Sequence, residues 1–395
     1  MIALRHLAFL PLFALLVPAC AAPEADLDEG EAAEGESAVV PLTEPDETAP
    51  AAALAPAPLD KDETDLLDVR GVGDAAWSNT HERTPLAAEY GAALDRFDPT
   101  GTGYRGDLSF INWETVVGSG CTPFASVYTP GRSYAFVSRP ANLVQAHERG
   151  FNLIGLSNNH TRDCHGAEET SLRGEVASSD MTARAIEGLG ERDWIWAGVS
   201  STDDHGDAAR ARVRTFTIKG RAVRVAFASL YTGRPTCPRA ACKGDTRAML
   251  ESLRDAQADL RILSIHSMKA ADQDEAVRIG IDFVKSYGGD VVFGHGPHVW
   301  KPVRVVRKGE AFGGGTGVVF ESLGNFLHPS LAAKAENFIG RALFDPDTLA
   351  LRQVQLLPVH NAGRETRSSR ADGARVQANL RWSPSPRGVY ANVRP

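Results

Sequence analysis

Short runs of apolar residues that break off into polar side chains recur along the chain. The run that begins at Phe151 ends in Ser157-Asn158-Asn159-His160. Comparable runs end at or just before Asp74, Asn112, Glu114, His266, His295 and His298. Apolar runs of this length are typical of strands that are buried on both faces of an α/β sheet. Because ligands of such sheets bind at the carboxyl ends of the strands, we expect these polar residues to share one edge.

Each of these polar residues also has a simpler interpretation. An Asn-Asn-His turn that caps the next helix would produce the same letters, and an Asp after Gly is a common turn residue. A lone histidine is more often a packed or surface residue than a ligand, as we expect for His147. The recurrence of the pattern on five separate strands favours a functional site.

The spacing of apolar residues predicts helices and further strands in the rest of the chain. The periodicity predicts helices over residues 139–150, up to about 190, 246–258 and about 276–287. Alternating residues on either side of Lys219-Gly220 predict a β-hairpin. Further strands are predicted at residues 303–306, 318–320 and 349–359. Strands that alternate with helices, followed by paired strands, predict a layered α/β fold with mixed sheets.

The N-terminal 65 residues have the composition of an export signal followed by a tether. Arg5, an apolar stretch and small residues up to Cys20 predict a lipoprotein-type signal peptide over residues 1–20. Cys20 is the expected lipidation site, with plain secretion as the alternative. Residues 21–65 are acidic and rich in Ala and Pro, which predicts a disordered tether. We therefore expect an exported, membrane-anchored lipoprotein of the cell envelope.

The charge of the chain is unevenly distributed. The whole chain has a formal charge of −8, whereas residues 21–65 contain 14 acidic residues and one basic residue. The remaining chain is therefore mildly basic, and we expect a globular domain over residues 66–360 and a C-terminal extension of uncertain role over 361–395. Without a long Lys/Arg run, a nucleic-acid partner is not expected. An anionic substrate fits this charge.

Four cysteines remain once Cys20 is set aside. An even number in an exported chain favours disulfides, with Cys237 bonded to Cys242 and Cys121 to Cys164. Zinc binding by Cys237 and Cys242 is the alternative, but no second pair has ligand spacing.

The polar strand ends together have the chemistry of a metal site. Carboxylates and imidazoles that converge in this way suit one or two divalent cations. Such a pair of ions activates a water molecule, and an imidazole outside the metal shell can protonate the leaving group. The ligand types fit Mn, Fe or Zn and do not choose between them.

Six motifs in order resemble a known family: GVGDAAW, GDLSFINWET, GFNLIGLSNNHTRD, SIHSMK, GHGPHVWKPV and ESLGNF. Together they resemble the CapA/PgsA-type capsule (poly-γ-glutamate) synthesis proteins of the calcineurin-like metallophosphoesterase superfamily. The resemblance covers about residues 69–326. It implies a four-layer α/β/β/α sandwich with metal ions at the sheet ends.

The resemblance also implies residue roles. It makes Asp74 a ligand of the first metal and Glu114 the bridging carboxylate. It makes Asn159 and His266 ligands of the second metal, and His295 and His298 the terminal histidines. His160 would be the acid or the phosphate-orienting residue, and Asn112 and Asn325 would have supporting or substrate-contacting positions. Three positions depart from the family pattern: Asp74 is followed by Ala-Ala instead of x-His, His266 by Ser-Met, and Glu321 replaces an aromatic residue.

These features predict a metal-dependent hydrolase that acts on a phosphoester or an anionic cell-surface polymer. The resemblance implies, as an alternative, a non-catalytic accessory of capsule or poly-γ-glutamate synthesis or export. A purely structural surface lipoprotein would leave the histidines at the strand ends unexplained.

Overall fold

The computed structural model describes residues 63–78, 86–118, 122–123, 134–165, 171–202, 204–329, 336–362, 365–368, 383–384 and 391–393. All of them lie in one compact unit, Glu36–Pro395. The predicted signal peptide with Cys20, and all but the last three residues of the predicted tether, lie outside the described residues. No helix in the described part of the chain is long and apolar enough to cross a bilayer.

The helices of the structure are α1 (Tyr90–Phe97), α2 (Pro140–Glu148), α3 (Ser171–Glu187), α4 (His205–Ala208), α5 (Thr246–Asp255) and α6 (Ala270–Tyr287), with 3₁₀ turns η1 (Glu63–Asp65), η2 (Asn159–Arg162), η3 (Lys243–Asp245) and η4 (Glu310–Phe312). The strands are β1 (Leu67–Ala75), β2 (Leu108–Trp113), β3 (Val116–Val117), β4 (Thr122–Pro123), β5 (Val137–Ser138), β6 (Leu153–Gly155), β7 (Cys164–His165), β8 (Ile195–Ala197), β9 (Arg212–Ile218), β10 (Arg221–Tyr231), β11 (Leu260–His266), β12 (Val291–His295), β13 (Trp300–Arg307), β14 (Thr316–Leu323), β15 (Glu336–Phe344), β16 (Leu351–Ala362), β17 (Glu365–Ser368), β18 (Ser383–Pro384) and β19 (Ala391–Val393).

Two large mixed sheets form the body of the described residues. The larger sheet has the order β18-β19-β16-β15-β1-β2-β6-β8, with β17 paired to β16. Its strands β1, β2, β6 and β8 are parallel, whereas β15 and β16 are antiparallel additions. The smaller sheet has the order β13-β14-β12-β11-β10-β9, with β10, β11, β12 and β14 parallel. The carboxyl ends of four consecutive parallel strands are therefore available in each sheet.

The two sheets pack face to face, and the helices cover their outer faces. A stack of Phe110, Phe293 and Phe320 joins the sheets, with ring centroids 4.7 and 5.6 Å apart. Helices α1, α2 and α3 pack on the larger sheet, and α5 and α6 pack on the smaller sheet. The predicted four-layer α/β/β/α sandwich with mixed sheets is confirmed.

Most predicted elements form at or near their predicted positions. The hairpin turns at Lys219 and Gly220, both with positive φ, as a tight two-residue turn between β9 and β10 requires. Helix α1 and the central strand β15 escaped prediction, as did the short elements α4, β3, β4, β5 and β7 and the strands β17, β18 and β19. Beyond residue 360, β17 and β19 both pair with β16 and so join the larger sheet.

The predicted disulfide between Cys237 and Cys242 is present, with Cα atoms 5.6 Å apart. It excludes the alternative of zinc bound by these two thiolates. Cys164 is also disulfide-bonded. Its predicted partner, Cys121, lies outside the described residues, so that pairing stays a prediction.

Candidate metal centre

The polar residues predicted at the strand ends lie together between the carboxyl ends of the two sheets. Asp74 is the penultimate residue of β1, and Glu114 directly follows the last residue of β2. His266 and His295 are the final residues of β11 and β12 and are neighbours in the sheet register. The parallel direction of these strands is what brings side chains far apart in sequence to one edge.

The first cluster consists of Asp74, His266 and His295, all fully buried. The two Nδ1 atoms of the histidines are 2.8 Å apart. They lie 3.6 Å (His266) and 3.4 Å (His295) from Oδ1 of Asp74. Three candidate ligand atoms therefore converge on one point.

The second cluster consists of Glu114, His298 and His328, also buried. Nε2 of His328 lies 3.2 Å from Oε2 of Glu114, and the rings of His298 and His328 are 4.9 Å apart. His266 links the two clusters, because its Nδ1 faces Asp74 and its Nε2 lies 3.5 Å from Oε1 of Glu114. His298 also reaches back, with Nδ1 3.2 Å from Oδ2 of Asp74.

Burial sets the protonation of this centre. Burial, followed by the negative charge of Asp74, raises the pKa of Glu114 to about 8. Burial also lowers the pKa of His266 well below its ordinary value, which favours the neutral imidazole that binds metals. Burial alone would raise the pKa of Asp74, but hydrogen bonds from His295 and His298 outweigh it and hold this pKa well below the ordinary value.

Main-chain and amide groups fix the orientation of Asp74. Nδ2 of Asn112 donates to Oδ1 of Asp74 at 2.8 Å, and the N–H of Gly296 donates to Oδ2 at 2.9 Å. Gly296 has a φ of +109°, and a Cβ there would lie 2.0 Å from the carbonyl oxygen of Ser267. A side chain at this position would collide with the main chain of Ser267, so glycine is required here.

His160 lies beside the second cluster, and a hydrogen bond to Asp163 fixes the orientation of its imidazole. Its Nδ1 donates to Oδ2 of Asp163 at 2.6 Å, and its Nε2 lies 4.0 Å from Oε1 of Glu114. The ring of Phe136 packs on the imidazole at 4.2 Å, and the N–H of Phe136 donates to the same oxygen of Asp163. The imidazole is thus oriented with Nε2 toward the centre.

The structure brings Asp74, Glu114, Asn112, His160, His266, His295 and His298 to one centre. Asn325 contacts it through Oδ1, which accepts from Nδ1 of His298 at 2.8 Å. Asn159 begins η2 and is buried, and its Oδ1 has no hydrogen-bond partner within the described residues. The structure groups His266 with Asp74 and His295, whereas the resemblance implies a pairing with Asn159. The individual metal-ligand roles stay predictions.

The sequence analysis missed two residues of the site, His328 and Asp163, and named a third, Asn158, only as part of the polar end of the Phe151 run. His328 stands two positions after the last quoted motif, ESLGNF. Its position just after the turn that ends a predicted strand could have marked it as a candidate ligand. Asp163 is the third residue after His160, inside a quoted motif. Asn158 caps η2 and donates to the main-chain oxygen of Trp113 at 3.1 Å.

The two clusters fit divalent cations. Both oxygens of Glu114 and Nε2 of His266 are buried without a hydrogen-bond partner among the described residues. Buried groups of this kind are costly unless they coordinate something. Each cluster supplies one carboxylate and two imidazoles, which is a donor set suited to Mn, Fe or Zn.

The fold and the site define an α/β/β/α protein with two adjacent carboxylate–histidine clusters that can hold metal ions. A family model described as bacterial capsule synthesis protein PGA_cap matches residues 89–330. The chain belongs to this family. Among proteins of curated function, none matches the chain.

Two solved structures are similar to the chain. One is described as a novel phosphatase from Mycoplasma pneumoniae, with 12% identity and a TM-score of 0.42 over 76% of this chain and 95% of that chain. The other is a hypothetical protein from Thermus thermophilus, with 12% identity and a TM-score of 0.40 over 75% of this chain and all of the other. Because both TM-scores are below 0.5, the fold is described from the sheets and layers of this chain alone.

Proposed function

We propose that this protein is a metal-dependent hydrolase that acts on a phosphoester or on an anionic polymer of the cell surface. The observation that carries the proposal is the pair of buried clusters, Asp74–His266–His295 and Glu114–His298–His328, which touch through His266. Family membership supports a role in capsule synthesis.

Each residue of the centre has a part that follows from its contacts. Asp74, oriented by Asn112 and Gly296, and Glu114 supply the negative charge that retains cations. Divalent ions held there would supply Lewis acidity toward a phosphoryl oxygen and would lower the pKa of a water molecule. His160, with Nδ1 engaged by Asp163, presents Nε2 toward the centre, where it can deliver a proton to a leaving oxygen.

Elemental analysis and turnover together test this proposal. Protein purified without chelator should contain a transition metal and should hydrolyse bis(4-nitrophenyl) phosphate. Asp74→Asn and His328→Ala should both lose metal and turnover. His147→Gln is the matched control, because His147 lies on α2 and contacts the carbonyl oxygen of Phe151 instead of the centre. A metal-loaded protein that hydrolyses neither bis(4-nitrophenyl) phosphate nor poly-γ-glutamate would contradict the hydrolase proposal.

A second candidate function is that of a non-catalytic accessory in the synthesis or export of poly-γ-glutamate or another capsule polymer. It is favoured by the family description, which names capsule synthesis and no hydrolysis. The centre would then bind polymer or metal without turnover. Retention of poly-γ-glutamate by a variant that lacks both His160 and His266 would favour this function.

The proposal includes export and lipid anchoring at Cys20. It is supported by the apolar stretch after Arg5 and by the small residues before Cys20. Palmitate labelling in a bacterial host should be lost in Cys20→Ser and retained in Cys237→Ser. Labelling that persists in Cys20→Ser would contradict the anchor.

A further inference from the structure

Three buried serines lie next to the first cluster, on the side of His295 that faces away from Asp74. Ser157, Ser229 and Ser264 have no solvent exposure, although serine is mostly a surface residue. The roles assigned above to the two clusters and to His160 do not use these hydroxyl groups.

Two of the serines occupy strand positions that continue an apolar face. Ile262 stands two positions before Ser264 on β11, and Phe227 stands two positions before Ser229 on β10. Both apolar side chains lie in the core between the sheets. Because residues two apart share a face of a strand, the serine side chains enter the same core. A hydroxyl buried there is costly unless it is hydrogen-bonded.

The serines form a hydrogen-bonded chain that ends on His295. The N–H of Ser157 donates to Oγ of Ser229 at 3.2 Å, and the hydroxyl of Ser229 donates to Oγ of Ser264 at 3.4 Å. Oγ of Ser264 lies 2.8 Å from Nε2 of His295. The other ring nitrogen, Nδ1, lies 3.4 Å from Oδ1 of Asp74. The imidazole therefore has one nitrogen on the serine chain and the other in the first cluster.

Close packing fixes both partners of this contact. The ring of Phe110 stacks on the imidazole of His295, with centroids 5.8 Å apart. On β6 of the larger sheet, a Cβ at Gly155 would lie 2.7 Å from Oγ of Ser264. The hydroxyl thus packs against main chain that has no side chain, and a larger residue at position 155 would collide with it.

The position of the ring proton of His295 follows from this arrangement. A neutral imidazole carries one proton, and a ring nitrogen binds a cation only through a free lone pair. With a cation in the first cluster, Nδ1 supplies the lone pair and Nε2 carries the proton, which Oγ of Ser264 accepts. The same oxygen can also accept from Ser229. A hydrogen-bond acceptor at the second ring nitrogen is a usual feature of metal-binding histidines.

We propose that Ser264 is a positioning residue of the metal centre, which directs Nδ1 of His295 at the cation and accepts the proton of Nε2. The inference rests on the proposed function only for the presence of a divalent cation in the first cluster. It makes metal retention depend on a residue that touches neither the cation nor the substrate.

Zn²⁺ titration of the full chain, in competition with a chromophoric chelator, tests this inference. Ser264→Ala should weaken the binding of one Zn²⁺ about tenfold or more, as is usual when a metal-binding histidine loses its hydrogen-bond partner. Ser109→Ala is the matched control and should bind as the wild type does. Ser109 is equally buried, and its Oγ accepts from the N–H of Gly106 near the amino end of β2, away from the centre.

Nuclear magnetic resonance of isotope-labelled histidine gives a readout that a merely structural role of Ser264 would not change. In the Zn²⁺-loaded wild type, the ring of His295 should have a protonated Nε2 and an unprotonated Nδ1, with His295→Gln used to assign its signals. In Ser264→Ala, the Nε2–H proton signal should move upfield, because its acceptor is gone.

Equal Zn²⁺ affinity of the wild type and Ser264→Ala, or a proton on Nδ1 of His295 in the loaded protein, would overturn this inference and leave the hydrolase proposal intact. An equal loss of affinity in Ser109→Ala would also overturn it, since the effect would then come from the stability of the core. The expected effects of Ser264→Ala in a protein that hydrolyses neither bis(4-nitrophenyl) phosphate nor poly-γ-glutamate would support this inference and contradict the hydrolase. A wild type that binds neither Zn²⁺ nor Mn²⁺ would contradict both.

Discussion

Both carboxylate oxygens of Glu114 are buried, and burial together with the charge of Asp74 raises its pKa to about 8. In metal-free protein, this carboxyl is therefore largely protonated near neutral pH. Its pKa in the folded chain lies above the ordinary value of 4.5, so the contribution of this group to the free energy of unfolding decreases as the pH rises from about 4.5 to about 8. A cation that binds Glu114 must displace this proton.

We predict that metal affinity increases with pH up to about 8. If one proton is released from Glu114, affinity should rise about tenfold per pH unit over that interval. His266 adds little to this dependence, because its pKa is already lowered. Titration of Mn²⁺ at about pH 6 and about pH 8 measures the effect. Glu114→Gln should bind more weakly and lose most of the slope, and a pH-independent wild type would contradict the prediction.

Asp163 is the residue that positions His160. We predict that Asp163→Asn lowers phosphodiester turnover roughly 10–100-fold, as is usual for a lost partner behind a functional imidazole. Metal content should be unchanged, because Asp163 touches neither cluster in the described residues. The pH–rate profile should shift, since the negative charge beside Nδ1 is gone. A variant with reduced metal content and an unshifted profile would indicate a structural role instead.

The residues of the site were predictable to different degrees. Asp74, His266 and His295 stand at the ends of strands that the apolar runs marked clearly. His328 follows β14 after a tight turn at Gly324, where no apolar run points to it. The contact between Asp163 and His160 depends on how η2 turns, and apolar periodicity carries no information on that turn.

The pairing of β1 with β15 shows why elements can escape sequence analysis. β15 is central and buried, yet it contains Asn337, Gly340 and Arg341, which interrupt any apolar pattern. Arg341 is tolerated because its guanidinium binds Asp68 on β1 at 2.7 Å. That partner is 273 residues away, so no local pattern reveals it. Helix α1 has only eight residues and was too short to stand out.

The buried network of Asp68, Arg70 and Arg341 holds these two strands together. Burial would raise the pKa of Asp68, but the hydrogen bonds and charges of the two arginines outweigh it and leave the pKa below its ordinary value. Because the pKa in the folded chain is lowered, the stabilisation is present above the ordinary value of 3.8 and is lost as the pH falls through the lowered pKa.

We predict that Asp68→Asn lowers the free energy of unfolding by about 3–5 kcal/mol at neutral pH, since it leaves two buried guanidinium groups without their carboxylate. Urea unfolding at neutral and at acidic pH measures the change, which should shrink as the wild-type carboxyl becomes protonated. Asp255→Asn is the control, because Asp255 pairs with Arg254 on the exposed face of α5 and should show no measurable change. Equal effects of both variants would contradict a special role for the network.

Over the whole molecule, the centre joins the two sheets. Each cluster takes its carboxylate from the larger sheet, with Asp74 on β1 and Glu114 after β2. Its imidazoles come from β11 and β12 or from the segments that follow β12 and β14 in the smaller sheet. The centre is thus a place where both sheets contribute to one cluster of polar side chains, as the phenylalanine stack is for apolar side chains.

A cation held by either cluster should therefore stabilise the packing of the sheets, and we predict a concentration-dependent rise in Tm with Mn²⁺ or Zn²⁺. The free energy of unfolding should increase by about 2.7 kcal/mol at a free-metal concentration of roughly 100 Kd. Differential scanning calorimetry with and without chelator measures the shift. Phe293→Leu should lower Tm by loosening the core between the sheets while it retains the metal-dependent shift, because Phe293 belongs to neither cluster. Asp74→Asn should do the opposite and abolish most of the shift. If Phe293→Leu and Asp74→Asn lost the shift equally, the stabilisation would come from general packing instead of from cations that connect the two sheets.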